Sequence, residues 1–329
     1  MTHPWPAGAA TGVGSLPGTD IDEALRVVFG ELPDLPHLPE LPARGAGADM
    51  IGRGASFLAE LPVEIQPSGW RLTAHPGRDL RRALDFLARD LDALEAAAEG
   101  YAGALKVQLV GPWTLAASLE LPNGHRVVSD HGATRDLAAS LAEGLRAHLS
   151  DLARRVPGAT IVVQLDEPSI PAVLTAAVPT PSGFGTARAV DASVVDQTLG
   201  NVLSVIPEGA RVVHCCAADP PIELLRGAGA DAVSIDATQL HQNDALGEAI
   251  EAGTSLWLGV VPGTDARIGL DTAREPIRRL WATLGFPNDQ LATSVVPTPV
   301  CGLAGATPDY AGRALQVLRD VGKALLDLS

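Results

Sequence analysis

Short apolar runs rich in Val and Ile alternate along the chain with longer stretches rich in Ala, Leu and Arg. Six runs read clearly as strands: LKVQLVGP (105–112), ATIVVQLDEP (159–168), ARVVHCC (210–216), DAVSID (231–236), SLWLGVVPG (255–263) and LATSVVPTPVCG (291–302). Two weaker candidates, GAATGVGSLPG (8–18) and LPVEIQ (61–66), bring the number to eight. Residues 78–101 and 136–156 carry strong helical signals between strands. Asp219, Pro220 and Pro221 read as a helix start, with Asp as N-cap and Pro in the first turn. Thr19 followed by Asp22 reads the same way.

Near-continuous apolar strands alternating with helices imply a parallel sheet covered on both faces. Eight such units predict an α/β fold, a single (β/α)8 TIM barrel over residues 1–329. The rival is an open doubly wound sheet, which normally carries a Gly-rich dinucleotide turn after its first strand. GVGSLPG places glycines at 12, 14 and 18 and misses the G-x-G-x-x-G spacing. The Pro-rich ELPDLPHLPELP (31–42) reads as an extended loop covering the barrel, and no repeat or low-complexity linker divides the chain.

Composition adds limits. A length of 329 residues suits one α/β barrel, which reaches roughly 250 residues or more. Hydrophobic residues make up 46% and aromatic ones only 4%, so the core must be mostly Ala, Val and Leu. A net charge of −15 argues against nucleic acid or an anionic membrane surface as partner. No run of about 20 apolar residues is present, so no membrane span is expected. The opening MTHPWPAG lacks the charged and apolar regions of a secretory signal, and three cysteines do not make a disulfide framework. The expectation is a reduced, cytoplasmic protein.

The chemistry concentrates in VVHCCAADPP (212–221). Residues two apart on a strand share a face, so His214 and Cys216 point together while Cys215 points into packing. This excludes a C-x-x-C redox pair. The pair ends a strand just before a helix, the mouth at which barrel active sites form. Asp236 ends the next strand and Cys301 follows the last one. The set of one N, two S and one O suits tetrahedral zinc better than magnesium or calcium. The alternative is plain packing, because a buried cysteine usually serves as a small hydrophobe.

Four segments now give the chain a resemblance. TGVGSLPGT (11–19) is similar to an I-G-S-F/L-P segment, GPWT (111–114) to a G-P-x-T turn and VQLDEPSI (163–170) to a Q-x-D-E-P segment, while His214, Cys216 and Cys301 match an H-x-C and a late cysteine. Together they resemble the catalytic domain of the cobalamin-independent methionine synthase family, in the barrel superfamily of uroporphyrinogen decarboxylase. The match runs over nearly the whole chain. It implies catalytic zinc on His214, Cys216 and Cys301, with Asp236 where the family has a zinc glutamate. Ser15 would hold the carboxylate of homocysteine, Asp166 would pair with its ammonium as the catalytic orienting group, and Glu40 would be a second ammonium partner. Trp113 would line the donor site or simply pack.

The activity so implied is methyl transfer to a zinc-bound homocysteine thiolate, giving methionine. The donor would be 5-methyltetrahydrofolate (polyglutamate) or a methylcorrinoid protein. Family members that use folate carry a histidine in an H-S-P-R segment, where this chain reads GVVPGTDAR (259–267); Asp265 and His241 are the substitutes at hand. Rival readings are a methyltransferase acting on another thiol such as coenzyme M, a metal-free decarboxylase on the same barrel, and a barrel that binds without turnover.

Overall fold

The computed structural model describes residues 3–180, 183–240 and 243–328. Its strands fall into two sheets. β1 (Val63–Gln66) and β2 (Gly69–Leu72) form a small antiparallel hairpin. β3 (Ala104–Val110), β4 (Thr160–Asp166), β5 (Arg211–Cys215), β6 (Ala232–Asp236), β7 (Ser255–Val261) and β8 (Val295–Pro299) form a curled parallel sheet in which each strand pairs with the next. Every residue of β3, β6, β7 and β8 is buried, as expected for a parallel sheet covered on both faces. Helices connect the strands, among them Arg78–Ala97 before β3, His131–Arg155 before β4, Ala192–Leu203 before β5 and Pro308–Leu326 after β8. The result is an α/β, TIM-barrel-like fold, and no described helix is long and apolar enough to cross a membrane.

Two extended segments link the edges of this sheet. The Thr11 N–H donates to the Pro297 carbonyl of β8 (3.3 Å), Leu16 N–H to Glu40 O (2.9 Å) and Glu40 N–H to Gly14 O (3.1 Å). Leu38 N–H then donates to Lys106 O of β3 (3.0 Å), and Lys106 N–H to Pro36 O (2.9 Å). This corrects the expectation for two segments. LPVEIQ supplies β1 of the outlying hairpin and no stave of the main sheet. The Pro-rich run is more than a cover, because its residues 36–40 lie against β3. Pro36 and Pro39 lack N–H groups, which disguises the segment as a loop, but Leu38 and Glu40 donate and Pro36 still accepts.

Local ends also differ from expectation. The first long helix, Ile21–Glu31, is capped by Asp20, whose carboxylate accepts from Asp22 N (3.0 Å) and Glu23 N (3.2 Å). Asp219 sits at φ 52 before the cap, and the helix Ile222–Gly227 takes Pro221 as its N-cap.

The interior of the curled sheet is layered. At its N-terminal end Ala104, Val162, Val212, Ala232, Trp257 and Val296 pack with Trp5 and Leu35. Trp5 meets Trp257 edge-on at 5.1 Å. Two residues further along the same strands the inward positions are Lys106, Gln164, His214, Ser234 and Thr298, all buried. The period of two thus turns an apolar plug into a polar floor beneath the C-terminal mouth.

Candidate active site

At the end of β5 the alternation separates the two adjacent cysteines. Cys215 is fully buried in the core, where burial pushes its thiol up to about 12. His214 and Cys216 face the mouth, and Cys301, two residues past β8, meets them there. One ring nitrogen of His214 and the two sulfurs lie within 4.8 Å of one another, and the sulfurs are 3.5 Å apart. The His214 Nδ1 atom lies 2.9 Å from Ser234 Oγ, while Nε2 is buried with no hydrogen-bond partner. With Nδ1–H donated to Ser234, Nε2 keeps its lone pair for a ligand. The neighbouring Cys216 first, and then His214, hold the Cys301 thiol down to about 4, and the same sulfur–sulfur contact pushes Cys216 up. An orphaned imidazole nitrogen and two sulfurs, one of them readily a thiolate, fit a metal ion with a taste for N and S donors.

Asp236 is not brought into this group. One carboxylate oxygen accepts from Thr238 N (2.8 Å) and Thr238 Oγ1 (2.7 Å), the other from Gln239 Nε2 (2.7 Å). The side chain caps its own turn, residues 237–239.

Ser15, Glu40 and Asp166 line the same cavity as His214, Cys216 and Cys301, a space of about 140 Å3. Ser15 approaches the Cys301 turn closely: a Cβ on Gly302 would lie 2.0 Å from Ser15 Oγ, and Leu303 N–H donates to Ser15 O (2.8 Å). The Asp166 carboxylate accepts from Gln164 Nε2 (2.6 Å). Burial pushes Asp166 up to about 7, the negative charge of Glu40 adds to this, and His214 and Lys106 oppose it. Glu40 is backed by Arg53 (3.3 Å), which is held in turn by the buried Asp90 (3.0 Å).

Trp113 lies outside this cavity. It is buried in the helix Pro112–Ser118, its indole N–H donates to Val195 O (3.1 Å), and it lines a separate cavity of about 270 Å3 between the helices. Asp265 accepts from Thr307 Oγ1 (2.9 Å) and so ties its loop to the start of the last helix. His241 lies outside the described residues.

Two buried charged groups next to the site were missed in the sequence. Glu167 accepts from Trp113 N (2.9 Å), Thr114 N (2.8 Å) and Thr114 Oγ1 (2.7 Å), and burial pushes it up to about 7. A Cβ on Gly111 would lie 2.4 Å from its carboxylate. GPWT and DEP are therefore one unit, in which Glu167 caps a helix and Asp166 is left facing the cavity. The second feature is Lys106, a charged residue inside a wholly buried strand, and that contradiction was its legible signal.

The fold and site together define a metal-ready thiol pocket at the C-terminal mouth of an α/β, TIM-barrel-like sheet. Residues 8–324 match the family described as "Cobalamin-independent synthase, Catalytic domain", and the chain belongs to that family. It is a methyltransferase of the cobalamin-independent methionine synthase type. Among solved structures it is similar to a B12-independent methionine synthase from Shewanella sp. W3-18-1 in complex with selenomethionine, at 13% identity over 98% of both chains and a TM-score of 0.61. A methyltransferase from Methanosarcina mazei is similar at 16% identity, over 98% of this chain and 94% of the other, with a TM-score of 0.51. These two show the shared fold. No curated protein matches the chain.

Proposed function

We propose that this chain is a single closed (β/α)8 barrel domain that transfers a methyl group to the thiol of homocysteine and releases methionine. One observation carries the reading. The same cavity of about 140 Å3 has two sulfurs and a free imidazole nitrogen as one part of its wall, and Ser15, Glu40 and Asp166 as another. The first wall suits a thiol-binding metal, and the second suits an amino-acid zwitterion.

His214, Cys216 and Cys301 would hold zinc as three protein ligands, leaving the fourth position for substrate. Zinc bound there would supply a deprotonated, electron-rich substrate sulfur at neutral pH in a fixed place. Ser234 keeps the His214 ring in the ligating tautomer. Asp166 and Glu40 bind the substrate ammonium, and Ser15 binds its carboxylate through the hydroxyl or the backbone N–H. These contacts aim the sulfur at the donor methyl, so that the S–CH3 bond forms as the bond from methyl to donor breaks.

The donor reading favoured is a methylcorrinoid protein over 5-methyltetrahydrofolate. A folate nitrogen must be protonated to leave. Segment 259–267 has no histidine, and its Asp265 is occupied by Thr307. A corrinoid leaves without a proton.

The test is the metal content of purified protein beside Cys301→Ala, with X-ray absorption before and after homocysteine. The expected result is about one zinc per chain that gains a sulfur neighbour, and a loss of zinc affinity of more than about 100-fold in Cys301→Ala. Zinc indifferent to both Cys301 and homocysteine would overturn the reading.

A further inference from the structure

Lys106 is fully buried in β3 and belongs to neither wall of the cavity. Its Nζ meets three oxygens: Val13 O at 2.8 Å, Gln108 Oε1 at 3.0 Å and Gln164 Oε1 at 3.0 Å. Three acceptors match the three N–H groups of an ammonium, whereas a neutral amine would leave one of them without a donor. Burial pushes Lys106 down to about 7, and the charges of Asp166 and Glu40 hold it up.

Each of the three contacts leads, two residues on, to a residue of the zwitterion wall. Val13 precedes Ser15 in the same extended segment. Gln164 precedes Asp166 on β4 and donates Nε2–H to its carboxylate (2.6 Å) and to Val13 O (2.8 Å). Gln108 donates Nε2–H to Leu38 O (2.7 Å), two residues before Glu40. Gly14 makes the approach feasible, because a Cβ there would lie 2.8 Å from the Gln108 side chain. We propose that Lys106 is a positioning residue that sets Ser15, Glu40 and Asp166 as one wall for the amino-acid end of the substrate, a role that rests on the function proposed above.

The physical device is the amide. The two ends of a glutamine side chain are nearly the same shape, so only its hydrogen bonds decide which way it faces. Lys106 takes the oxygens of both Gln108 and Gln164 and thereby turns both NH2 groups outward. Without it both amide oxygens are left buried without a donor and the tie between the two strands and the Val13 segment is cut, so Gln164 holds Asp166 less firmly in place.

The test uses zinc-loaded protein and calorimetric titration with two thiols. One is homocysteine; the other is 1-propanethiol, which has the same sulfur arm without the amino-acid end. Lys106→Met is expected to weaken homocysteine by about tenfold or more and propanethiol by less than about threefold, with zinc content unchanged. Gln164→Met cuts the relay to Asp166 together with the Gln164 bonds to Lys106 and Val13 while keeping the lysine, is expected to move the same ratio in the same direction, and answers the question if Lys106→Met does not fold. An unchanged ratio between the two thiols, or equal weakening of both, overturns the role of Lys106. Wild-type protein that binds homocysteine no better than propanethiol overturns the zwitterion wall itself, and with it the function on which the proposal rests.

Discussion

The two walls of the cavity are built in opposite ways. The sulfur wall is made at strand ends, where Cys216 is half-buried and Cys301 exposed, and His214 is steadied there by Ser234. The zwitterion wall is rooted in the interior. Asp166 hangs from Gln164, Glu40 leans on Arg53 and Asp90, and Lys106 joins the strands beneath. Soft ligands at loosely held ends can rearrange as a metal exchanges one ligand for substrate. Hard carboxylates in a buried setting must be held, because an ion taken from water without partners is costly. On the function proposed above, the zwitterion wall sets specificity while the sulfur wall carries the reacting atom.

Three measurements would break or sharpen this contrast. The largest effect is expected from Ser234→Ala, which leaves His214 Nδ1 without its partner. Zinc affinity should fall by about 10- to 100-fold while the fold is kept. Competition with a chromophoric chelator reads this directly, and an unchanged affinity would mean that the sulfur wall needs no outside support.

Acid should act through the opposite wall. His148 is buried against Phe57 (ring centres 4.9 Å apart), and burial first, then the charge of Arg53, lowers it to about 3 from an ordinary 6.5. The unfolded chain therefore binds the proton that the folded chain refuses. The stability tied to a neutral His148 is fully present above about pH 6.5 and is lost as pH falls toward 3. Between pH 7 and pH 5, urea unfolding should show the wild type losing about 2 kcal/mol of stability relative to His148→Leu, while the raised carboxyls of Asp166 and Glu167 act alike in both proteins. Equal pH dependence in both proteins would detach His148 from the effect.

The smallest effect is expected from Asp236→Ala. It should cost about 1 kcal/mol of stability as a lost turn cap and leave zinc stoichiometry and affinity unchanged. A fall in zinc content would bring Asp236 back as a fourth ligand and make the sulfur wall more rigid than described.

Much of this site was readable in the chain. The strand period put His214 and Cys216 on one face and Cys215 on the other, and the structure sets Cys215 in the core. The alternation of apolar strands with helices foretold a parallel sheet, and all six clear strands are in it. Asp236 stood in the right place along the chain to be a ligand, but nothing in that position reveals that Thr238 and Gln239 compete for its oxygens. Trp113 followed a suggestive motif, yet its indole N–H is drawn to Val195 on a distant helix. Residues 36–40 carried two prolines and looked like a cover, while the regular LPVEIQ looked like a barrel strand and pairs only with its own hairpin.

The division has one physical cause. Periodicity along a strand determines which face a side chain takes, so the amino-acid order by itself determined the strands, the facing of the H-x-C pair and the end of the sheet at which chemistry gathers. Which groups meet across that sheet depends on contacts between residues far apart in the chain and on competition among donors and acceptors for each buried polar atom. Only the tertiary structure decided that Glu167 caps the GPWT helix, that Asp236 stays with its own turn, and that Lys106 lies beneath three residues drawn from three separate segments.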